Sequence, residues 1–169
     1  MQDIRWGSIG CGNVMEVKSG PALQNVAHSE LIGVMRRDGP LAEDFARRHG
    51  VQKWFDDADK LVNDPHINAI YIATPPDTHL EYTCMAAQAG KPVYVEKPMA
   101  NSFAQCQEMI TICQKHEVPL FVAYYRRALP RFLKVKEIID SGQLGAIKEV
   151  QVQLLQPAKA VDISGGSNW

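Results

Sequence analysis

A chain of 169 residues, 46% of them hydrophobic, is long enough for one domain of ordinary size, or for one domain and part of another, with a real core. Its formal net charge of -1 argues against a nucleic-acid or anionic-membrane partner. Cys11, Cys84, Cys106 and Cys113 form no CxxC pair and no metal-ligand spacing, which predicts reduced thiols and no metal site. Met1-Gln2-Asp3 opens without a basic-then-apolar leader and no apolar run approaches membrane-spanning length, so a cytoplasmic protein without membrane contact is expected.

Ile4 to Ile9 reads as a strand running into Gly10-Cys11-Gly12-Asn13-Val14-Met15, where the period changes from strand-like to helix-like. A strand, a glycine-rich turn and a helix start are what a dinucleotide site requires. Gly10 permits the tight turn, Gly12 lets backbone approach a pyrophosphate, and Asn13 and Val14 lie where helix amides begin to point at it. Met15 stands where a third small residue is usual, and its bulk is expected to loosen helix-sheet packing. Gly20-Pro21 should break or kink the helix near Ser19.

A second apolar run, Leu31 to Met35, ends in Arg36-Arg37-Asp38 about twenty residues beyond the glycines. An NAD site usually offers an acid there, whereas arginine suits a 2′-phosphate, so the pair favours NADP(H) over NAD(H); solvated loop charges are the alternative. Pro40 to His49 reads as a helix stopped by Gly50, Lys53 to Phe55 as a short strand, and Asp57 as a cap for the turn that follows. Ala69 to Ala73 is a buried strand ending at Thr74-Pro75-Pro76-Asp77-Thr78-His79, where Asp77 or Thr78 can cap a helix to Gln88. His79, in its first turn, could face a phosphate or substrate, or simply be an exposed or capping histidine.

Pro92 to Val95 is a strand that delivers Glu96-Lys97-Pro98 to the carboxyl edge, where open α/β sheets bind ligands. Lys97 is there either a proton-transfer group or the partner of Glu96 in an ion pair. Asn101 or Ser102 caps a helix to His116 whose Phe103, Cys106, Met109, Ile110 and Cys113 read as a core stripe. Leu120 to Ala123 is a further strand leading to Tyr124-Tyr125-Arg126-Arg127, and Pro130 opens a helix that stops at Ser141-Gly142. Alternation in Ala146 to Gln156 suits an antiparallel sheet with one wet face.

Repeated βα units predict an α/β fold with a Rossmann-like, doubly wound parallel sheet over residues 1–123. Residues 124–169 would be a connecting helix and the first strand of a truncated second α/β domain with an antiparallel sheet, since a lone amphipathic strand is an aggregation liability.

Gly10-Cys11-Gly12-Asn13-Val14, Thr74-Pro75-Pro76 with His79, and Glu96-Lys97-Pro98, in that order at strand ends, resemble the glucose-fructose oxidoreductase, inositol dehydrogenase and rhizopine-catabolism family (Gfo/Idh/MocA). The resemblance implies hydride transfer between NAD(P) and a secondary alcohol or ketone of a sugar, cyclitol or related small molecule. It implies homo-oligomerisation through the sheet of the second domain. Carried over by position, it makes Lys97 catalytic, with Lys97-Pro98 often cis, sets Thr74, Pro75 and His79 along the cofactor, and has Glu96 fix the lysine or touch the nicotinamide ribose. Tyr124 and Arg126 would line the cofactor-substrate cleft, and Asn168-Trp169 would begin an element that reaches the cofactor. Met15 and Arg36 depart from the family pattern, and the Asp and His of its second domain have no counterpart here. The 169 residues taken alone therefore also fit a non-catalytic dinucleotide-binding module.

Overall fold

The computed structural model describes residues 3–155 and 157. Runs rich in β-branched and aromatic side chains form six strands: β1 (Ile4–Ile9), β2 (Ser29–Met35), β3 (Lys53–Phe55), β4 (Ala69–Ile72), β5 (Val93–Val95) and β6 (Leu120–Val122). They make one sheet in the order β3-β2-β1-β4-β5-β6, with every neighbouring pair parallel. The strand order reverses between β1 and β4, so a crevice opens beyond their carboxyl ends at Gly10 and Ala73, where such sheets take ligands. This is the expected Rossmann-like α/β sheet.

Five helices cover it: α1 (Gly20–Asn25), α2 (Gly39–His49), α3 (Ala58–Val62), α4 (His79–Gln88) and α5 (Phe103–Lys115). Caps fix several starts. The Asp38 carboxylate accepts from Leu41 N–H, Asp57 from Asp59 N–H and Ser102 Oγ from Gln105 N–H. No side-chain cap starts α4, because Thr78 Oγ1 turns back to Thr74 Oγ1 at 2.8 Å and Pro75 O at 3.0 Å. Period-2 alternation along the strands sends side chains into two cores. One packs Ile70, Ile72, Val93 and Val95 against Leu61, Ala86 and Met109 of α3, α4 and α5; the other packs Leu31, Val34 and Tyr71 against Met15, Leu23 and Phe45.

Two expectations fail inside this sheet-and-helix unit. Met15 loosens nothing: it is fully buried, because residues Met15–Ser19 wind as a π-helical turn, wider than an α-turn, closed by Gly20 N–H donating to Met15 O. A Cβ at Gly20 would collide with that same carbonyl, so glycine is what allows the wide turn to close. The helical path then continues through Pro21 as α1, the missing N–H falling where regular winding is already interrupted. In α5 the predicted stripe is narrower than its spacing suggested. Met109 and Cys113 are core, but Phe103 is 81% exposed and Ile110 lies at the rim.

The chain divides into two compact units, Met1–Tyr124 and Tyr125–Trp169. In the second, a 3₁₀ turn (Tyr125–Ala128) precedes α6 (Pro130–Asp140), which opens on proline and is followed by Gly142 at φ 74. The alternating stretch from Ala146 forms no strand within its described residues, 146–155, and Val150, Val152 and Leu154 are exposed. Alternation dictates which side chains share a face but supplies no partner for the backbone, and strands are not stable singly. Gln156 lies outside the described residues. Among the described residues no helix is long and apolar enough to cross a membrane, and no cluster of His, Cys, Asp and Glu could hold a metal ion.

Candidate cofactor site

At the end of β1 the chain turns through Gly10 at φ 93, in the left-handed region that glycine occupies without penalty. A Cβ there would sit 2.7 Å from Ala73 O, so the turn is pressed against the end of β4. Gly10 N–H donates to Met35 O at 2.9 Å, and Ser8 Oγ donates to Gly10 O at 2.8 Å. Gly12 instead faces open space, with nothing within 4 Å of its missing Cβ, and helical winding begins at the exposed Asn13 and Val14.

A cleft of ≈ 500 Å³ opens over this turn, walled by Gly10, Gly12, Arg36, Arg37, Thr74 and Pro75 among others. The two arginines are exposed at the end of β2, while Asp38 beside them is engaged as the cap of α2. Cys11, Thr78 and Tyr82, which sequence reasoning missed, also line the cleft. Burial pushes the Cys11 thiol up to about 11 against the pull of Arg36, and burial likewise raises the Tyr82 hydroxyl, so both are neutral walls at physiological pH. Thr78 and Tyr82 are four residues apart, the spacing that puts two side chains on one side of a helical path, a signal present in the sequence.

Beyond β5, Glu96 and Lys97 do not pair with each other. Glu96 Oε1 accepts from Tyr71 OH at 2.7 Å, and its Oε2 accepts from the backbone N–H of Lys97 at 3.1 Å. Tyr71 is buried in the middle of β4 and its hydroxyl also meets Ser19 Oγ at 2.7 Å, so the carboxylate is tied through the sheet to the π-helical turn. Burial, with Glu96 alongside, drives the Tyr71 pKa far above the ordinary phenol value. No ion pair involves Lys97 among the described residues, and its side chain is exposed. The ion-pair reading of Glu96 and Lys97 is therefore overturned. Sequence reasoning also missed Tyr71 and Ser19, although a tyrosine in a fully buried strand must find a partner for its hydroxyl.

His79 sits behind the cleft instead of along it. It is 0% exposed, with Nδ1 3.1 Å from both Pro98 O and Met99 O and Nε2 2.9 Å from Thr74 O. Direct contact with a cofactor is thereby corrected to a role inside the protein. Lys97-Pro98 is cis. Tyr124 is half exposed just beyond β6, with its N–H donating to Val122 O at 2.7 Å; Arg126 belongs to the second unit, and Trp169 lies outside the described residues.

Residues 4–124 match the model of the oxidoreductase family with an NAD-binding Rossmann fold, Gfo/Idh/MocA. The chain belongs to that family. Among Gfo/Idh/MocA relatives, it is 46% identical over 153 residues to oxidoreductase P35 of Formosa agariphila, covering 90% of this chain and 48% of that protein. A solved structure of KijD10, a 3-ketoreductase from Actinomadura kijaniata in complex with TDP-benzene and NADP, superposes with a TM-score of 0.77 at 25% identity over 83% of this chain and 43% of that one. Scyllo-inositol dehydrogenase from Lactobacillus casei, solved with NAD(H) and scyllo-inositol, shares the fold with a TM-score of 0.78 at 23% identity, covering 85% and 43% of the two chains. The chain thus spans about half the length of the relatives it matches.

Proposed function

We propose that the protein is an NADP-preferring oxidoreductase that moves a hydride to or from a secondary alcohol or ketone of a sugar, cyclitol or related small molecule. The observation that carries this reading is the state of Lys97: an exposed amine at the ligand-binding edge, its neighbouring carboxylate held elsewhere by Tyr71 and by the Lys97 backbone. The turn supports a dinucleotide because Gly10 is packed against Ala73 while Gly12 leaves open space for a pyrophosphate. Arg36 and Arg37 support a 2′-phosphate, which a guanidinium fork binds bidentately; one oxygen of Asp38 is engaged in capping α2. Thr74 and Pro75 wall the cleft, Asn13 and Val14 are assigned to its pyrophosphate end, and Glu96 and Tyr124 to its nicotinamide end, while Arg126 and Trp169 enter the proposal through the resemblance alone. A relative at 25% identity, a 3-ketoreductase solved with TDP-benzene and NADP, supports ketone or alcohol chemistry with this cofactor.

When bound, the nicotinamide supplies the hydride donor or acceptor. Lys97 moves the proton, taking it from the substrate hydroxyl in oxidation and returning it to the carbonyl oxygen in reduction. Tyr71 and Ser19 keep the Glu96 carboxylate from closing on the ammonium. Residues from 125 onward would belong to a second domain that walls the substrate and forms a homo-oligomer, so the 169-residue chain alone should bind dinucleotide without turnover. We assign the protein to the cytoplasm, with no nucleic-acid or membrane partner. The test is full-length Lys97→Ala screened with NADP⁺ and NAD⁺ against a panel of sugars and cyclitols. NADPH affinity should stay within about threefold while turnover falls ~10²–10⁴-fold; unchanged turnover refutes the role. Arg36→Ala and Arg37→Ala should each weaken NADPH about 10–100-fold and leave NADH alone, and an unaltered ratio removes the NADP preference.

A further inference from the structure

Residues 97–100 carry the Lys97 corner from β5 toward α5, yet no backbone–backbone hydrogen bond holds any of them among the described residues. Two side chains hold the corner instead. Glu96 accepts from Lys97 N–H at its start, and His79 meets Pro98 O and Met99 O just beyond it. The other nitrogen of the same ring meets Thr74 O, in the loop after β4 that walls the cleft. The ring is wholly buried, so water cannot replace it at any of the three carbonyls.

We propose that His79 is a positioning residue, a strut that sets the Lys97 corner at a fixed distance from the cofactor loop by holding Nδ1 against the Pro98 and Met99 carbonyls and Nε2 against the Thr74 carbonyl. Both ring nitrogens face only carbonyl acceptors, so the ring can hold either end only as a donor. Glu96 and His79 then grip the corner from opposite sides of β5, since Tyr71 holds Glu96 from the core that contains Met15 and Phe45 while His79 opens α4 over the other core. A catalytic amine displaced by about 1 Å loses about two orders of magnitude in rate, so the strut matters to chemistry without touching substrate or cofactor. This rests on the reading of Lys97 as the proton-transfer group, but its structural part can be tested without it.

Asparagine and glutamine separate the two ends of the strut. In place of the imidazole, an asparagine amide reaches about where Nδ1 lies and a glutamine amide about where Nε2 lies, so His79→Asn keeps the donor to Pro98 and Met99 while His79→Gln keeps only the Thr74 end. In the full-length protein, amide hydrogen exchange of the peptide spanning 97–101 should quicken about tenfold or more in His79→Gln and stay near wild type in His79→Asn. NADPH affinity should remain within about threefold in both, and turnover with the substrate found in the panel should fall about 10–100-fold in His79→Gln alone. Equal effects of the two substitutions on exchange, or loss of NADPH affinity in either, overturn the strut. Exchange that splits as expected, with Lys97→Ala still fully active, upholds the strut and removes instead the catalytic reading of Lys97.

Discussion

Gly10 and Gly12 are two residues apart and should fail in opposite ways when each is given a methyl group. At Gly10 an alanine must hold a φ of 93, which costs an L-residue about 1–2 kcal/mol, and its Cβ would lie 2.7 Å from Ala73 O. That oxygen belongs to backbone just beyond the β1–β4 pair and cannot swing aside as a side chain would, so relief means forcing the strand ends apart, overpacking worth ~1–3 kcal/mol. Together these make about 2–5 kcal/mol out of the 5–15 that hold a typical domain, a fall in Tm of roughly 8–20 °C at about 4 °C per kcal/mol. Gly12→Ala meets nothing within 4 Å and needs no unusual φ, so its Tm should hold, or rise slightly through loss of unfolded-state entropy. What it should lose is dinucleotide: a methyl between the backbone and a pyrophosphate removes charge-assisted bonds worth ~1.5–3 kcal/mol, about 10–100-fold in Kd. Thermal melts and fluorescence titrations with NADPH and NADH on both variants decide the matter. Wild-type affinity in Gly12→Ala means that no pyrophosphate lies on this turn, and a wild-type Tm in Gly10→Ala means that the contact with Ala73 is not what shapes it.

Tyr71→Phe removes the hydroxyl that joins Ser19 to Glu96 and leaves both short of a partner, which should cost ~1–2 kcal/mol of stability by denaturant melt and lower turnover more than NADPH affinity; an unchanged melt would mean that the hydroxyl is not needed there. The Arg48 guanidinium, bonded to both oxygens of Glu16, holds that carboxyl at about 2, below its ordinary value of 4.5. A folded-state value below the unfolded one adds stability that is full above pH ~4.5 and disappears as pH falls through about 2. For a partly exposed pair this is on the order of 1 kcal/mol, so the Tm gap between wild type and Glu16→Gln should be a few degrees at pH 7 and close near pH 2; a gap independent of pH would deny the ion pair any part. Cys11 and Cys113, with thiols pushed up to about 11 by burial, should resist iodoacetamide at pH 8 in the folded protein and react on unfolding, read by mass spectrometry.

Much of the first unit was legible because its signals are local. Several runs end at a residue that cannot continue them or that a turn demands, Gly10 after β1, Gly50 after α2 and Pro98 beyond β5, and the helix starts at Asp57 and Ser102 carry their caps. What failed depends on what each residue packs against or bonds to in the folded chain. Met15 was misread because a bulky side chain at the third glycine position is harmful only in a regular α-turn, and the π-helical turn that admits it is closed by Gly20 five residues on. Phe103 was assigned to the core on spacing alone, yet a helix stripe is buried only where a neighbour covers it. The segment from Ala146 had a strand's pattern and found no partner among the described residues.

The same distinction explains the site. Gly10, Gly12, Arg36, Arg37, Thr74 and Pro75 sit at strand ends, and a parallel sheet brings every strand end to one edge, so order along the chain was enough to gather them. Glu96 and His79 could not be read in this way, since what each does is decided by what it bonds to. Glu96 lies one residue from Lys97 and reaches its N–H instead of its amine because Tyr71, twenty-five residues earlier, already holds the carboxylate. His79 reads as a surface residue in a helix's first turn until the loop after β5 folds over it. A chemical group at the edge of this sheet is thus supplied by its own strand, whereas its orientation is supplied by the neighbouring one, and only the first of these is written in consecutive residues.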